Sequence, residues 1–191
     1  MPVLPDTYTI EQLESALLRA GRNAGPGMLF GWLSDQAITT DQLRALILDV
    51  WSGAEWPVLN GEEESMWLDW FDETGFVSDT GRPPPSEPIT AWRGTSLASG
   101  GRGFSWTVDI DKARWFAQRE IGFGRGPAGV YEAVVPPSWV LGKIEAGRGE
   151  AEVIVDPLLF DLTYEQRRRW DIPPPIRLVE TITEVERAVG A

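Results

Sequence analysis

The run Gly81-Arg82-Pro83-Pro84-Pro85-Ser86 divides the chain into two stretches that do not share one periodicity. Consecutive prolines lack the N–H that a helix or a central strand requires and favour extended polyproline geometry, so no regular element runs through them. Before the break, apolar residues recur at helical spacing. After it they fall in short runs separated by glycine and proline. The pattern predicts an α+β protein with residues 1–85 as a helical region and 86–191 as a strand-rich domain. At 191 residues the chain fits one sizeable domain, or one domain with a smaller appendage.

In the first stretch Thr9 and Gln12 have the spacing of a capping box, followed by Ile10, Leu13, Leu17 and Leu18 as one apolar face. Thr39 and Gln42 repeat the signature ahead of Leu43, Leu46, Ile47, Val50 and Trp51, the best amphipathic pattern in the chain. A third helix is predicted from about Glu62 to Asp72, burying Met66, Trp67, Trp70 and Phe71 and leaving the acidic run 62–64 near its positive end.

Strands are predicted over 89–92, 103–107, 130–135, 152–155 and 176 to about 183. One helix interrupts them, capped by Asp109 or Asp111 and placing Ala113, Phe116 and Ala117 on one face. A short helix follows Thr163, where Thr163 and Gln166 form another capping box, and ends before Pro173. The tripeptide Gly-Arg-Gly recurs at Gly101, Gly124 and Gly147, but its flanks are unrelated, so it reads as ordinary turns and not as an RNA-binding tail.

Histidine and cysteine are both absent, which removes disulfides, thiol nucleophiles, histidine or cysteine metal sites and every imidazole base. Carboxylates, Lys, Tyr, Ser and Thr remain for chemistry. The 29 acidic against 17 basic residues give a net charge of -12, which disfavours nucleic acid and acidic membrane surfaces as partners. The start Met1-Pro2-Val3-Leu4-Pro5-Asp6 lacks the basic and apolar segments of a secretory signal, and no apolar run approaches a bilayer span, so the expectation is a soluble, cytoplasmic protein. Asp109 and Asp111 read as helix caps more readily than as metal ligands, and no metal is expected. Ser99 to Gly103 lacks the Gly-Lys-Ser/Thr ending of a phosphate-binding loop. Most of the ten tryptophans are expected to pack the core.

Three short pieces in the second stretch stand out: Trp92-Arg93-Gly94, Phe104-Ser105-Trp106-Thr107 and Glu150-Ala151-Glu152. An arginine in an apolar strand needs anionic company if it points inward, either a structural ion pair or a ligand. Glu150 and Glu152 are two apart, so in a strand their carboxylates share a face about 7 Å apart. They form either a solvated edge or a pair working on one substrate.

Taken in order, these pieces resemble the R-S-E class of mono-ADP-ribosyltransferases, which includes many bacterial toxins. The resemblance runs from Ile89 to Phe160: an aromatic-Arg-Gly ending the first strand, a Ser-x-Thr strand leading into an Ala- and Phe-rich helix, the strand Val130 to Val135, and the Glu-x-Glu segment with its apolar strand Val153-Ile154-Val155. It departs from the family at the second motif, where many members read Ser-Thr-Ser and this chain has Ser105-Trp106-Thr107. The first 80 residues carry no matching motif.

The resemblance implies a helical amino-terminal region packed on a split antiparallel β-sandwich, NAD as co-substrate, and transfer of ADP-ribose to a target protein. Arg93, Ser105, Glu150 and Glu152 would be the catalytic group. Arg93 would meet the phosphate or its ribose, and Gly94 would let backbone groups approach the nicotinamide amide. Ser105 would fix the Arg93 and Glu152 geometry, supported by Thr107. Glu152 would bond the nicotinamide ribose and stabilise the sugar cation, and Glu150 would deprotonate the acceptor. A Glu at 150 goes with arginine as acceptor in that family. Phe123 and Arg125 lie in the segment 122–129 that corresponds to a mobile loop beside the nicotinamide, where they would stack on the ligand and meet phosphate. Residues 143–149 correspond to the substrate-recognition turn. A bacterial or phage effector is the setting the family implies. Two other readings stay open: an NAD glycohydrolase with water as acceptor, and a binding module without turnover that contacts a host or partner protein.

Overall fold

A computed structural model of the chain describes residues 8–58, 64–146, 151–170, 172 and 176–183. The chain forms two compact units, Met1–Val77 and Ser78–Ala191, so residues 78–85 belong with the second unit.

The first unit is built from helices α1 (Ile10–Ala20), α2 (Gly25–Ser34), α3 (Thr40–Gly53) and α4 (Glu64–Thr74). The capping boxes at Thr9 and Thr39 are both formed: each threonine hydroxyl accepts the backbone N–H three residues on, and each glutamine returns the bond. In α1 only Leu13 is fully buried, and Leu18 is 84% exposed, contrary to its expected place on the apolar face. Five residues at 100° per residue put Leu18 about 140° round the helix from Leu13, beyond the buried stripe. Helix α2 was not expected. Its Gly25-Pro26-Gly27 start and nearly uniform apolar sequence give no period, yet Pro26 is tolerated in the first turn and Gly25 lets α2 approach α3. A Cβ on Gly25 would lie 3.0 Å from Val50 Cγ1.

On α3, Leu43, Leu46, Ile47, Val50 and Trp51 are buried as expected. They face an aromatic cluster on α4, where the Trp67 ring meets Trp51 edge-on at 4.8 Å and Trp70 at 4.9 Å. Arg44 closes the far end of α4 by donating to the Thr74 and Phe76 carbonyls, satisfying groups that a helix end leaves open. Because Trp67 is fully enclosed, Trp67→Ala is expected to destabilise the first unit by about 3–5 kcal/mol, read from its denaturant midpoint.

The second unit carries strands β1 (Val77–Ser78), β2 (Ile89–Ser96), β3 (Ser105–Thr107), β4 (Ala128–Val135), β5 (Val140–Ile144), β6 (Glu152–Val155) and β7 (Arg177–Ile182), with α5 (Ile110–Gly122) and α6 (Tyr164–Trp170). The α+β class is as expected. Strand β5 was missed, because Gly142 and Lys143 break its apolar run. Strand β2 continues four residues past Trp92, so Arg93 and Gly94 lie inside it and not at its end.

The strands form one open sheet in the order β1-β5-β6-β3-β2-β4-β7. The pairs β5–β6, β6–β3, β3–β2, β2–β4 and β4–β7 are antiparallel. Where two facing layers were expected, the hydrogen-bonded ladder is continuous. It is narrow at one place: β2 and β4 share eight registered pairs, whereas β2 and β3 share only Trp92↔Thr107.

Helix α5 lies on β2 and β4, with Ala113, Ala117, Ala128 and Val130 fully buried between them and Trp92, Ile110 and Ile121 around the rim. Two alanines and a strand glycine bring the backbones close. A Cβ on Gly94 would fall 1.7 Å from the Ala113 carbonyl oxygen and 2.6 Å from the Ala117 nitrogen. Among the described residues no helix is long and apolar enough to cross a membrane.

Candidate functional site

The narrow junction of β2 and β3 gathers three of the residues singled out by sequence. Thr107 registers with Glu152 and Ser105 with Ile154, so Ser105, Thr107 and Glu152 share one face of the sheet by alternation. The Ser105 hydroxyl donates to Glu152 Oε1 at 2.6 Å. Arg93 follows Trp92, which registers with Thr107, so Arg93 starts on the opposite face. It meets the group through the backbone: Arg93 Nη1 donates to the Ser105 carbonyl at 2.6 Å. Ser105 therefore touches both partners, the guanidinium through its backbone and the carboxylate through its side chain.

Arg93 is only half-buried by area, yet its Nε is fully enclosed and has no hydrogen-bond partner among the described residues. Burial pushes the guanidinium down from its ordinary value, while the charges of Glu152 and then Glu120 pull it back up. It stays protonated, as arginine does in proteins. Gly103 lies against the guanidinium face, with φ +152° and a would-be Cβ 2.7 Å from Arg93 Nη2, so a side chain there would displace the arginine. The Gly103 carbonyl in turn accepts the Trp106 indole N–H at 2.8 Å. Leaving an enclosed donor such as Arg93 Nε unpaired costs about 1–3 kcal/mol.

The other expected residues have local duties. Thr107 is buried and its Oγ1 accepts the Asp109 N–H at 3.1 Å, forming the turn into α5. Asp109 caps α5 through the Asp111 and Lys112 N–H groups, and Asp111 pairs with Arg114 at 2.7 Å. The missing side chain of Gly94 is accounted for by its contact with α5. Phe123, half-exposed at the end of α5, lies between the guanidinium carbons of Arg119 and Arg125, 5.1 and 5.5 Å from its ring centre. Arg125 pairs with Glu120 at 3.1 Å. Glu150 lies outside the described residues, as do residues 147–149 of the expected recognition turn.

Sequence reading missed Glu120 and Gly103. Glu120 is three residues beyond Ala117 on the packed helix, and Gly103 stands in the first Gly-Arg-Gly, so both positions carried a signal that pattern alone did not separate from an ordinary helix face and turn. A hollow of about 420 Å³ is lined by Asp109, Asp111, Lys112, Trp115 and Phe116 on the first turns of α5, and not by Arg93, Ser105 or Glu152. The polar cluster at the strand junction brings together a guanidinium, a hydroxyl and a carboxylate and is the better candidate. Comparison with protein-family models, with curated proteins and with solved structures returned no match to this chain.

Proposed function

We propose that the chain is an NAD-dependent mono-ADP-ribosyltransferase that modifies a protein on arginine and releases nicotinamide. One observation carries this reading: the Arg93 guanidinium and the Glu152 carboxylate are both tied to Ser105, one through its backbone carbonyl and the other through its hydroxyl.

In this reading Arg93 binds the pyrophosphate or the adjoining ribose, matching its planar donors to phosphate oxygens. Ser105 holds the Glu152 carboxylate in one orientation. Glu152 accepts a hydrogen bond from the nicotinamide ribose and faces the sugar cation that develops as the bond to nicotinamide breaks. The bonding electron pair leaves with nicotinamide, and a nitrogen of the acceptor arginine supplies the new pair to the sugar carbon. That guanidinium must lose a proton, which Glu150 takes. Phe123 stacks on the ligand and Arg125 meets a phosphate. Action inside a host cell, as a bacterial or phage effector, is the setting this reading proposes.

The test is incubation of the purified chain with labelled NAD and a cell lysate, followed by mass spectrometry. Label on arginine side chains is the expected result. Free ADP-ribose with no labelled protein identifies a glycohydrolase instead. Absence of both nicotinamide release and NAD binding overturns the enzymatic reading in favour of a binding module.

A further inference from the structure

The turn after β1 grips the end of β5. The Asp79 N–H donates to the Lys143 carbonyl at 3.3 Å. Its carboxylate accepts two successive backbone N–H groups, from Glu145 at 2.9 and 3.0 Å and from Ala146 at 2.8 Å. These contacts join residues 66 and 67 apart in sequence, so they are not a local turn closing on itself. A second layer reinforces them. The Glu145 carboxylate accepts from Thr80 at 3.1 Å, Arg82 at 3.2 Å and Lys143 at 3.3 Å.

The position gripped in this way stands beside the reacting group. Ile144, the residue before Glu145, registers with Glu152 across the β5–β6 pair. On its other side Glu152 registers with Thr107 of β3. The residue before it, Ala151, is held at φ +45° with its carbonyl accepting the Val108 N–H at 3.3 Å. Glu152 is the first residue of β6, where a strand end is free to fray unless its neighbours are fixed. Strand β3 fixes one neighbour. Asp79 fixes the other, because a carboxylate holding consecutive amides is a stronger clamp than neutral hydrogen bonds.

We propose that Asp79 is a positioning residue for the reaction, holding the end of β5 so that Glu152 keeps its place beside Ser105. The inference rests on the functional reading above, in which Glu152 acts on the NAD ribose. Arg93 is held separately, by the Ser105 carbonyl and against Gly103, so Asp79 governs the catalytic step and leaves NAD binding alone.

The test is steady-state nicotinamide release from NAD by the full chain and by Asp79→Ala. A misplacement of about 1 Å at a reacting group costs up to about 100-fold, so kcat is expected to fall roughly 10- to 100-fold with the KM for NAD within about twofold of wild type. Amide hydrogen exchange at Glu145 and Ala146 accelerates in the same variant. Should Asp79→Ala fail to fold, Asp79→Asn retains one acceptor oxygen and is expected to give the same kcat-only loss at smaller amplitude. An unchanged kcat, or kcat and KM worsening together in a folded variant, overturns the inference alone. Wild-type protein that releases no nicotinamide overturns the functional reading, and this inference with it.

Discussion

Glu152→Gln is expected to lower nicotinamide release by roughly 10²- to 10³-fold while leaving the fold intact, the scale seen when one electrostatic group is removed from a transition state. The substitution is close to isosteric, and its amide oxygen can still accept the Ser105 hydroxyl that now donates to Oε1 at 2.6 Å. What disappears is the negative charge facing the sugar cation. That charge acts mainly in the transition state, so kcat falls and the KM for NAD changes little. The variant also removes the first of the two carboxylates that hold up the Arg93 charge, leaving Glu120 as the other. A rate within about threefold of wild type would remove Glu152 from the chemistry.

Gly94→Ala is expected to cost more stability than an alanine at any other described glycine of the second unit. The new Cβ would meet backbone atoms of α5, 1.7 Å from the Ala113 oxygen and 2.6 Å from the Ala117 nitrogen, which no rotamer change can relieve. Helix α5 must lift from β2, opening the buried layer of Ala113, Ala117, Ala128 and Val130. A loss of about 3 kcal/mol or more follows, at the upper end for overpacked sites. In a domain of this size that lowers the thermal midpoint by roughly 6–12 °C. Equal midpoints for the variant and wild type would mean that α5 does not bear on β2 at this point.

The capped helices were legible because their signals are local. The Thr9, Thr39 and Thr163 boxes each close within three residues and form as read. Long apolar strands such as β4 were legible too, being buried along most of their length. Helix α2 and strand β5 were not, since glycine, proline and an interrupted apolar run erase the period and leave tertiary packing to decide. At the site, sequence order brought Arg93, Ser105 and Glu152 into one list but could not say how they meet. The contact of Arg93 with the Ser105 carbonyl depends on how β2 pairs with β3, a property of the pairing between segments and not of either segment alone.

The single rung between β2 and β3 also bears on how substitutions combine. Residues on β5 and β6 and those on β4 and β7 lie on opposite sides of it in the strand order and share no strand pairing, although α5 reaches both β3 and β4. Free-energy changes from the two groups should therefore sum, as they do for separated sites. The exceptions should be pairs that include Trp92, Thr107, Arg93 or Ser105, where a double-mutant cycle would register a coupling energy.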